Sequence, residues 1–341
     1  ASTIRIKCSV PHEHFSDLEP MKKVIKTVTL HTMRVLMISG DKKALDPDSA
    51  VSKRLALQRA QVDVLDIFVW PQIHSRNEIF FAAQRNAYDV VTAQDPFWRG
   101  LIAWRVARRS GARLNLQIHT DLSAQPFWRR MLAYFLLRRA DSVRVVSEKI
   151  KNFLTPLHLR ATVSVLPIYV DTAPFRGFLH RPHPRFEKTI LWVGRFEPEK
   201  DPVFAISILK NVRDSGIDAG LILLGAGSLE KVLRMRAKSL APFVEFPGWR
   251  SPEPYLEIAD VVVSTSKHES YGASIIEALA SGVPVVSPDI GIAREAGAII
   301  ASKNELGKTV IETLNLGKHG KLNITMPNKE DWAKRWKETL V

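Results

Sequence analysis

A single cysteine, Cys8, stands among 341 residues, which excludes an internal disulfide and suits a reducing compartment. No apolar run approaches the ~18 residues that a membrane-spanning helix needs. The first apolar run is short and broken by charge, which argues against a secretory signal. Asn323-Ile324-Thr325 has the form of a glycosylation sequon, a chance match in a chain read as lacking an export signal. Short repeats are absent, and so is any nucleic-acid recognition motif, although the net charge is +14. The charge is unevenly placed: residues 1–172 carry 26 Lys+Arg against 15 Asp+Glu, and residues 173–341 carry 23 against 20. A basic first half implies an anionic partner.

What is present is a soluble globular composition, 45% apolar and 25% charged, in a chain long enough for two domains. Residues 1–32 lack periodicity and read as an extension without assigned role. From Met33, short apolar runs alternate with helical stretches. Runs at Arg34 to Ser39, Val62 to Val69, Tyr88 to Thr92, Leu114 to Ile118, Ser142 to Val146 and Val163 to Leu166 predict strands. Helices are expected near 48–59, 97–110 and 125–140. Prolines 174, 182 and 184 mark 173–187 as a linker. The alternation restarts at Thr189 and continues to a terminal helix that begins near Lys329. The pattern predicts two doubly wound, parallel α/β domains: 33–172 and 188–327, with 328–341 as a closing helix.

The stretch from Ser266 to Ser287 carries the chemistry. A strand-like run, Val261 to Ser264, enters a polar turn with Gly272, and a helix follows with Ile275, Ile276, Leu279 and Ala280 on one face. A helix start in that position points free amides into the crevice at the strand ends, so Ser270, Tyr271, Gly272 and Ala273 are candidates to hold an anion. Glu269 and Glu277 flank them. A carboxylate accepts paired hydrogen bonds from vicinal hydroxyls. An anion with polyols on either side describes a nucleotide diphosphate sugar.

The E-x7-E spacing of Glu269 and Glu277, preceded by S-x-x-E-S-Y-G and followed by A-S-G-V-P-V-V, resembles the retaining glycosyltransferases of family 4 (group 1). The resemblance implies a GT-B fold, two Rossmann-like domains facing a cleft, with the first domain on the acceptor side. It implies Glu269 facing the transferred sugar and Glu277 on the ribose. Gly194-Arg195 and Lys200 match the family's G-R-x-x-x-x-K, which neutralises the donor diphosphate in place of a metal ion. Gly225 and Gly227 match its glycine turn near the nucleotide, and Trp249 or Arg250 would stand near the base. His119 matches the strand-end histidine on the sugar side, a group that titrates near neutral pH, and Asp121 would orient the acceptor hydroxyl. The terminal helix, in relatives, crosses back to the first domain.

The sequence departs from the family in three places. Gln94 stands where a histidine is common, and Val165 to Asp171 lacks the usual P-N-G-V-D. After the first strand only Gly40 remains of a paired-glycine loop, with Lys42 and Lys43 beside it. Ser287 to Gly297 continues the family pattern and reads as mainly structural. Expected, then, is a retaining transferase with a nucleotide sugar donor, no metal and no cofactor, and a glycan or lipid-linked acceptor. The alternative is a degenerate protein that binds the nucleotide sugar without turnover. Residues 97–139 join aromatic residues to arginine pairs, the pattern of a helix docked on anionic lipid. That suggests a cytoplasmic protein, peripheral on the inner face of the plasma membrane.

Overall fold

The computed structural model describes residues 33–341 apart from Asp48, Gln72, Asp121, Ala124 and Ser270. The expected extension 1–32 and the candidates Asp121 and Ser270 therefore lie outside the described residues. Two six-stranded parallel sheets carry the chain. The first holds β1 (Arg34–Ser39), β2 (Val64–Val69), β3 (Val90–Ala93), β4 (Arg113–Ile118), β5 (Ser142–Val145) and β6 (Thr162–Val165), in the order β2-β1-β3-β4-β5-β6. Between them run α1 (Ala50–Arg59), α2 (Arg76–Arg85), α3 (Trp98–Ser110), α4 (Phe127–Leu137) and α5 (Glu148–Leu154).

The second sheet has the order β12-β11-β10-β7-β8-β9. Its strands are β7 (Lys188–Val193), β8 (Ala219–Leu224), β9 (Val244–Gly248), β10 (Val261–Val263), β11 (Val285–Ser287) and β12 (Ile299–Ile300). Its helices are α6 (Pro202–Asp214), α7 (Glu230–Arg236), α8 (Glu253–Leu256), α9 (Ala273–Ala280), α10 (Ala293–Ala296) and α11 (Leu306–Asn315); α12 (Lys329–Glu338) ends the chain. The doubly wound α/β fold is thus as the alternation of the sequence implies.

The strands are near-continuous apolar runs because helices cover both faces of each sheet. β8, between β7 and β9, is buried along its whole length. Helix α2 falls in a gap of the sequence reading, between Val69 and Tyr88. Only Ile79 and Ala83 of it are buried, too few to make an apolar stripe, but Ser75 and Glu78 form a reciprocal capping box that starts it. Helix α8 is one turn long.

Helix α12 packs on the outer face of the first sheet. Trp332 and Trp336 are fully buried there with Val35, Met37, Leu65 and Leu166. Beside them on that face lies a row of buried polar residues, Thr92, Asn115, Gln117, Ser142 and Arg144. Asn115 donates to the Thr339 carbonyl (2.8 Å) and the Trp332 indole to the Pro167 carbonyl (2.8 Å). Chain order reverses between β1 and β3 in one sheet and between β7 and β10 in the other. Ligands of such sheets bind beyond the strand ends at those reversals.

Candidate active site

At the second reversal, the loop after β7 and the loop after β10 face one another. The Lys200 ammonium lies 2.5 Å from Glu269 Oε1, and both side chains are about 15% exposed. Ser266 Oγ donates to the same oxygen at 2.9 Å. The loops are fastened behind this pair. Lys267 N donates to the Glu199 carbonyl (2.8 Å), and Thr265 Oγ1 lies 2.9 Å from the carbonyls of both Lys200 and Asp201. The Trp192 indole, itself buried, donates to Thr265 Oγ1 (2.8 Å). Asp201 adopts a left-handed conformation (φ 48°) at the start of α6 and is held by Lys303 at 2.7 Å.

Above this pair opens a cleft of about 420 Å³, within the range of small-molecule sites. Arg195, Lys200, Lys267, His268, Glu269 and Gly291 line one side, and Thr120, Gln125 and Lys149 the other. Arg195 is exposed and pairs with the likewise exposed Glu199 (3.0 Å), so its guanidinium can turn toward an anion. Lys149 crosses the cleft: its ammonium donates to the Asp289 carbonyl at 3.2 Å, and its amide to Glu295 at 3.1 Å. Sequence reasoning missed Lys149, Lys267 and His268. It also read Ser287 to Gly297 as structural, although Asp289, Ile290 and Gly291 line the cleft. No local motif flags Lys149, which matters only because α5 starts opposite the second sheet.

Glu277 sits on α9 with its carboxyl pushed up to about 7, by burial first and by Glu253 second. A half-buried carboxyl without a cation is poised for neutral hydroxyl donors.

Several candidates are placed otherwise than expected. His119 does not titrate near neutrality. Burial first, then Arg144 and Arg54, push its pKa down to about 3, so the imidazole is uncharged at physiological pH. Its Nε2 is buried without a hydrogen-bond partner. The Tyr271 side chain turns into the core, where burial raises its pKa, and its carbonyl accepts from Ile292 N at 2.8 Å. Gly225 and Gly227 serve packing. A Cβ on Gly225 would stand 1.8 Å from the Gly194 carbonyl oxygen, and one on Gly227 would stand 2.7 Å from Phe196 backbone atoms. The glycine turn therefore makes room for the loop that bears Arg195, and Glu197 ties the two by accepting from the Ser228 amide (3.1 Å) and hydroxyl (2.6 Å).

At the first reversal, Ser39 Oγ donates to Gln94 at 2.7 Å, and the Arg99 guanidinium covers Gly40. The space that Gly40 leaves is taken by protein. Trp249 is 62% exposed, and the Lys43 ammonium stands 5.3 Å from its ring. Arg250 donates back to the Pro247 carbonyl (3.0 Å). Gly272 holds φ 101° at the start of α9, a backbone that favours glycine, and Ala273 is exposed beyond it.

Two family profiles match the chain: "Glycosyltransferase Family 4" over residues 35–174 and "Glycosyl transferases group 1" over 187–315. Among curated relatives, a phosphatidyl-myo-inositol mannosyltransferase of Mycobacterium leprae is 33% identical over 113 residues, 32% of this chain and 30% of its own length. A 2-deoxystreptamine N-acetyl-D-glucosaminyltransferase of Niallia circulans is 31% identical over 110 residues, 31% of this chain and 28% of its own. The match thus spans less than a third of those relatives. Among solved structures, the lipopolysaccharide outer core galactosyltransferase WaaB superposes with a TM-score of 0.65 at 15% identity, over 90% of this chain and 99% of that one. This likeness concerns the fold, which is GT-B.

Proposed function

Because the chain belongs to the group 1, family 4 glycosyltransferases, we propose that it transfers a sugar, with retention, from a nucleotide diphosphate sugar to an acceptor hydroxyl. The carrying observation is the Lys200–Glu269 pair at the second reversal, with Arg195 in the same cleft. Lys200 and Arg195 take the diphosphate and stabilise the charge that grows on it as the glycosidic bond breaks, so no metal or cofactor is required. Glu269, already oriented by Lys200 and Ser266, receives the sugar hydroxyls, and Glu277 the ribose. The leaving phosphate accepts the proton of the attacking hydroxyl on the face from which it departs. His119 contributes as a neutral hydrogen-bonding group.

The acceptor is a glycan or a lipid-linked glycan, presented at an anionic membrane surface from the cytoplasmic side. The contact proposed is peripheral, through the aromatic and arginine-rich helices; among the described residues no helix is long and apolar enough to cross a membrane. A second reading, binding without turnover, is favoured by one observation: Arg99 closes the approach over Gly40.

Thermal unfolding with GDP, UDP or ADP, first without metal and then with magnesium, tests the donor site. A nucleotide at 100 times its Kd should stabilise the protein by about 2.7 kcal/mol. Lys200→Ala and Glu269→Ala should each lower turnover at least tenfold, about 1.4 kcal/mol in the barrier. Wild-type rates in either variant overturn the assignment, and nucleotide binding with no donor consumption selects the second reading.

A further inference from the structure

Arg144, on β5, is buried yet pairs with no carboxylate among the described residues. Its Nε donates to the Leu166 carbonyl (3.1 Å), one Nη to the Pro167 carbonyl (3.0 Å) and the other to Gln117 Oε1 (2.9 Å). Its guanidinium also stands 5.4 Å from the Trp332 ring centre. A buried charge satisfied only by neutral groups is costly, and an apolar side chain of like volume usually serves stability as well or better. Packing alone therefore leaves this arginine unexplained.

Its contacts join three parts of the molecule. Leu166 and Pro167 begin the passage from the first sheet to the second. Trp332 belongs to the terminal helix. Gln117 lies on β4 two residues before His119, and is itself held through Thr92 Oγ1 (2.9 Å). Thr92 donates to Asn115 (2.7 Å), which reaches the end of α12. We propose that Arg144 is a positioning residue for sugar transfer: its guanidinium ties α12 and the interdomain passage to the strand that carries His119, and so fixes that imidazole, which immediately precedes Thr120 of the cleft lining. The proposal rests on the transferase reading above.

The electrostatics agree with this geometry. The charged and titratable groups that act on His119 and Arg144 are few. Arg144 on β5 and Arg54 on α1 act on the histidine; Asp41, before the first turn of the chain, acts on Arg54; Tyr271, from the second domain, acts on Arg144. Burial, then Arg54, lower the pKa of Arg144 to about 9, so it remains charged at neutral pH. With burial, it helps to hold His119 neutral.

Arg144→Met keeps the volume and removes both fork and charge, while Arg144→Lys keeps the charge and loses the fork. Far-UV circular dichroism and the nucleotide-induced thermal shift first establish a folded second domain. In Arg144→Met, kcat should fall at least tenfold with the donor KM changed less than about threefold, because Lys200, Arg195 and Glu277 are untouched. The His119 ring resonance, flat in the wild type from pH 5 to 8, should gain an acid-side titration. Arg144→Lys should lower kcat while leaving that resonance flat. Unchanged kcat in folded Arg144→Met, or an unchanged His119 titration, overturns the proposal. A wild-type protein that binds no nucleotide overturns instead the reading beneath it, while the resonance, which needs no substrate, still reports on the arginine. If Arg144→Met fails to fold, the decision passes to the lysine variant, where wild-type kcat overturns the proposal.

Discussion

Glu277 illustrates how burial of a single carboxyl bears on stability. Its folded pKa, about 7, lies above the ordinary carboxylate value of 4.5. Below the unfolded value both states are protonated and no penalty exists. Between the unfolded and the folded value the unfolded chain ionises while the buried carboxyl stays protonated, so stability falls across that window and is level above about pH 7. Glu277→Gln should therefore raise the melting temperature at pH 8, by about 3 kcal/mol in stability, with little difference at about pH 3. The same substitution should weaken nucleotide binding, since an amide is a poorer acceptor for a ribose diol. Equal melting at pH 8, or unaltered affinity, removes Glu277 from the role. At this scale the sequence displayed Glu269, Lys200 and Arg195 in recognisable spacing, and the structure brings them into one cleft. It could not display the neutral state of His119, because that state comes first from burial and then from Arg144 and Arg54, which lie on elements distant in the chain.

Among the elements, α3 and α4 present the most unusual surface. Phe127 is 70% exposed and Trp128 55%, with Trp98, Met131 and Phe135 also exposed nearby. Trp98 and Trp128 approach with ring centroids 6.4 Å apart, and Arg139 stands over Phe135 at 3.6 Å. Between residues 96 and 140 there are nine arginines and one acid, Asp121. Aromatic residues for the interface and an excess of arginines for the headgroups suit an anionic bilayer. Gln125, which lines the cleft, lies two residues before α4, so a protein docked on this face would hold its acceptor side near the lipid. Phe127→Ser with Trp128→Ser should abolish co-flotation with vesicles containing phosphatidylglycerol, leaving binding to neutral vesicles negligible before and after. Turnover on a soluble acceptor should be unchanged. Flotation retained by the double variant removes this face from the proposal. The arginine pairs and aromatics were plain in the sequence. Which of them face solvent was not, because Leu136 and Leu137 on the same helix are fully buried.

For the whole molecule, α12 closes the fold by covering the outer face of the first sheet. Trp332→Ala should cost about 3–5 kcal/mol and lower the melting temperature without altering nucleotide affinity, because Trp332 packs against Val35, Met37 and Leu65 of the first sheet and the donor loops belong to the second. A variant that melts as the wild type would show that the helix adds little to the first domain. The sequence by itself determined the strand and helix alternation, the two doubly wound sheets and the loops that carry Arg195, Lys200 and Glu269. Those features follow from local propensity, apolar periodicity and turn chemistry, which act between near neighbours. Only the tertiary structure decided that the Gly225 turn supports the Arg195 loop, that Arg99 fills the space above Gly40, that Lys149 bridges the cleft, and that a polar row under α12 joins Asn115, Thr92 and Gln117 to Arg144. Each of these depends on burial and on contacts between residues far apart in the chain, quantities that a linear pattern does not contain.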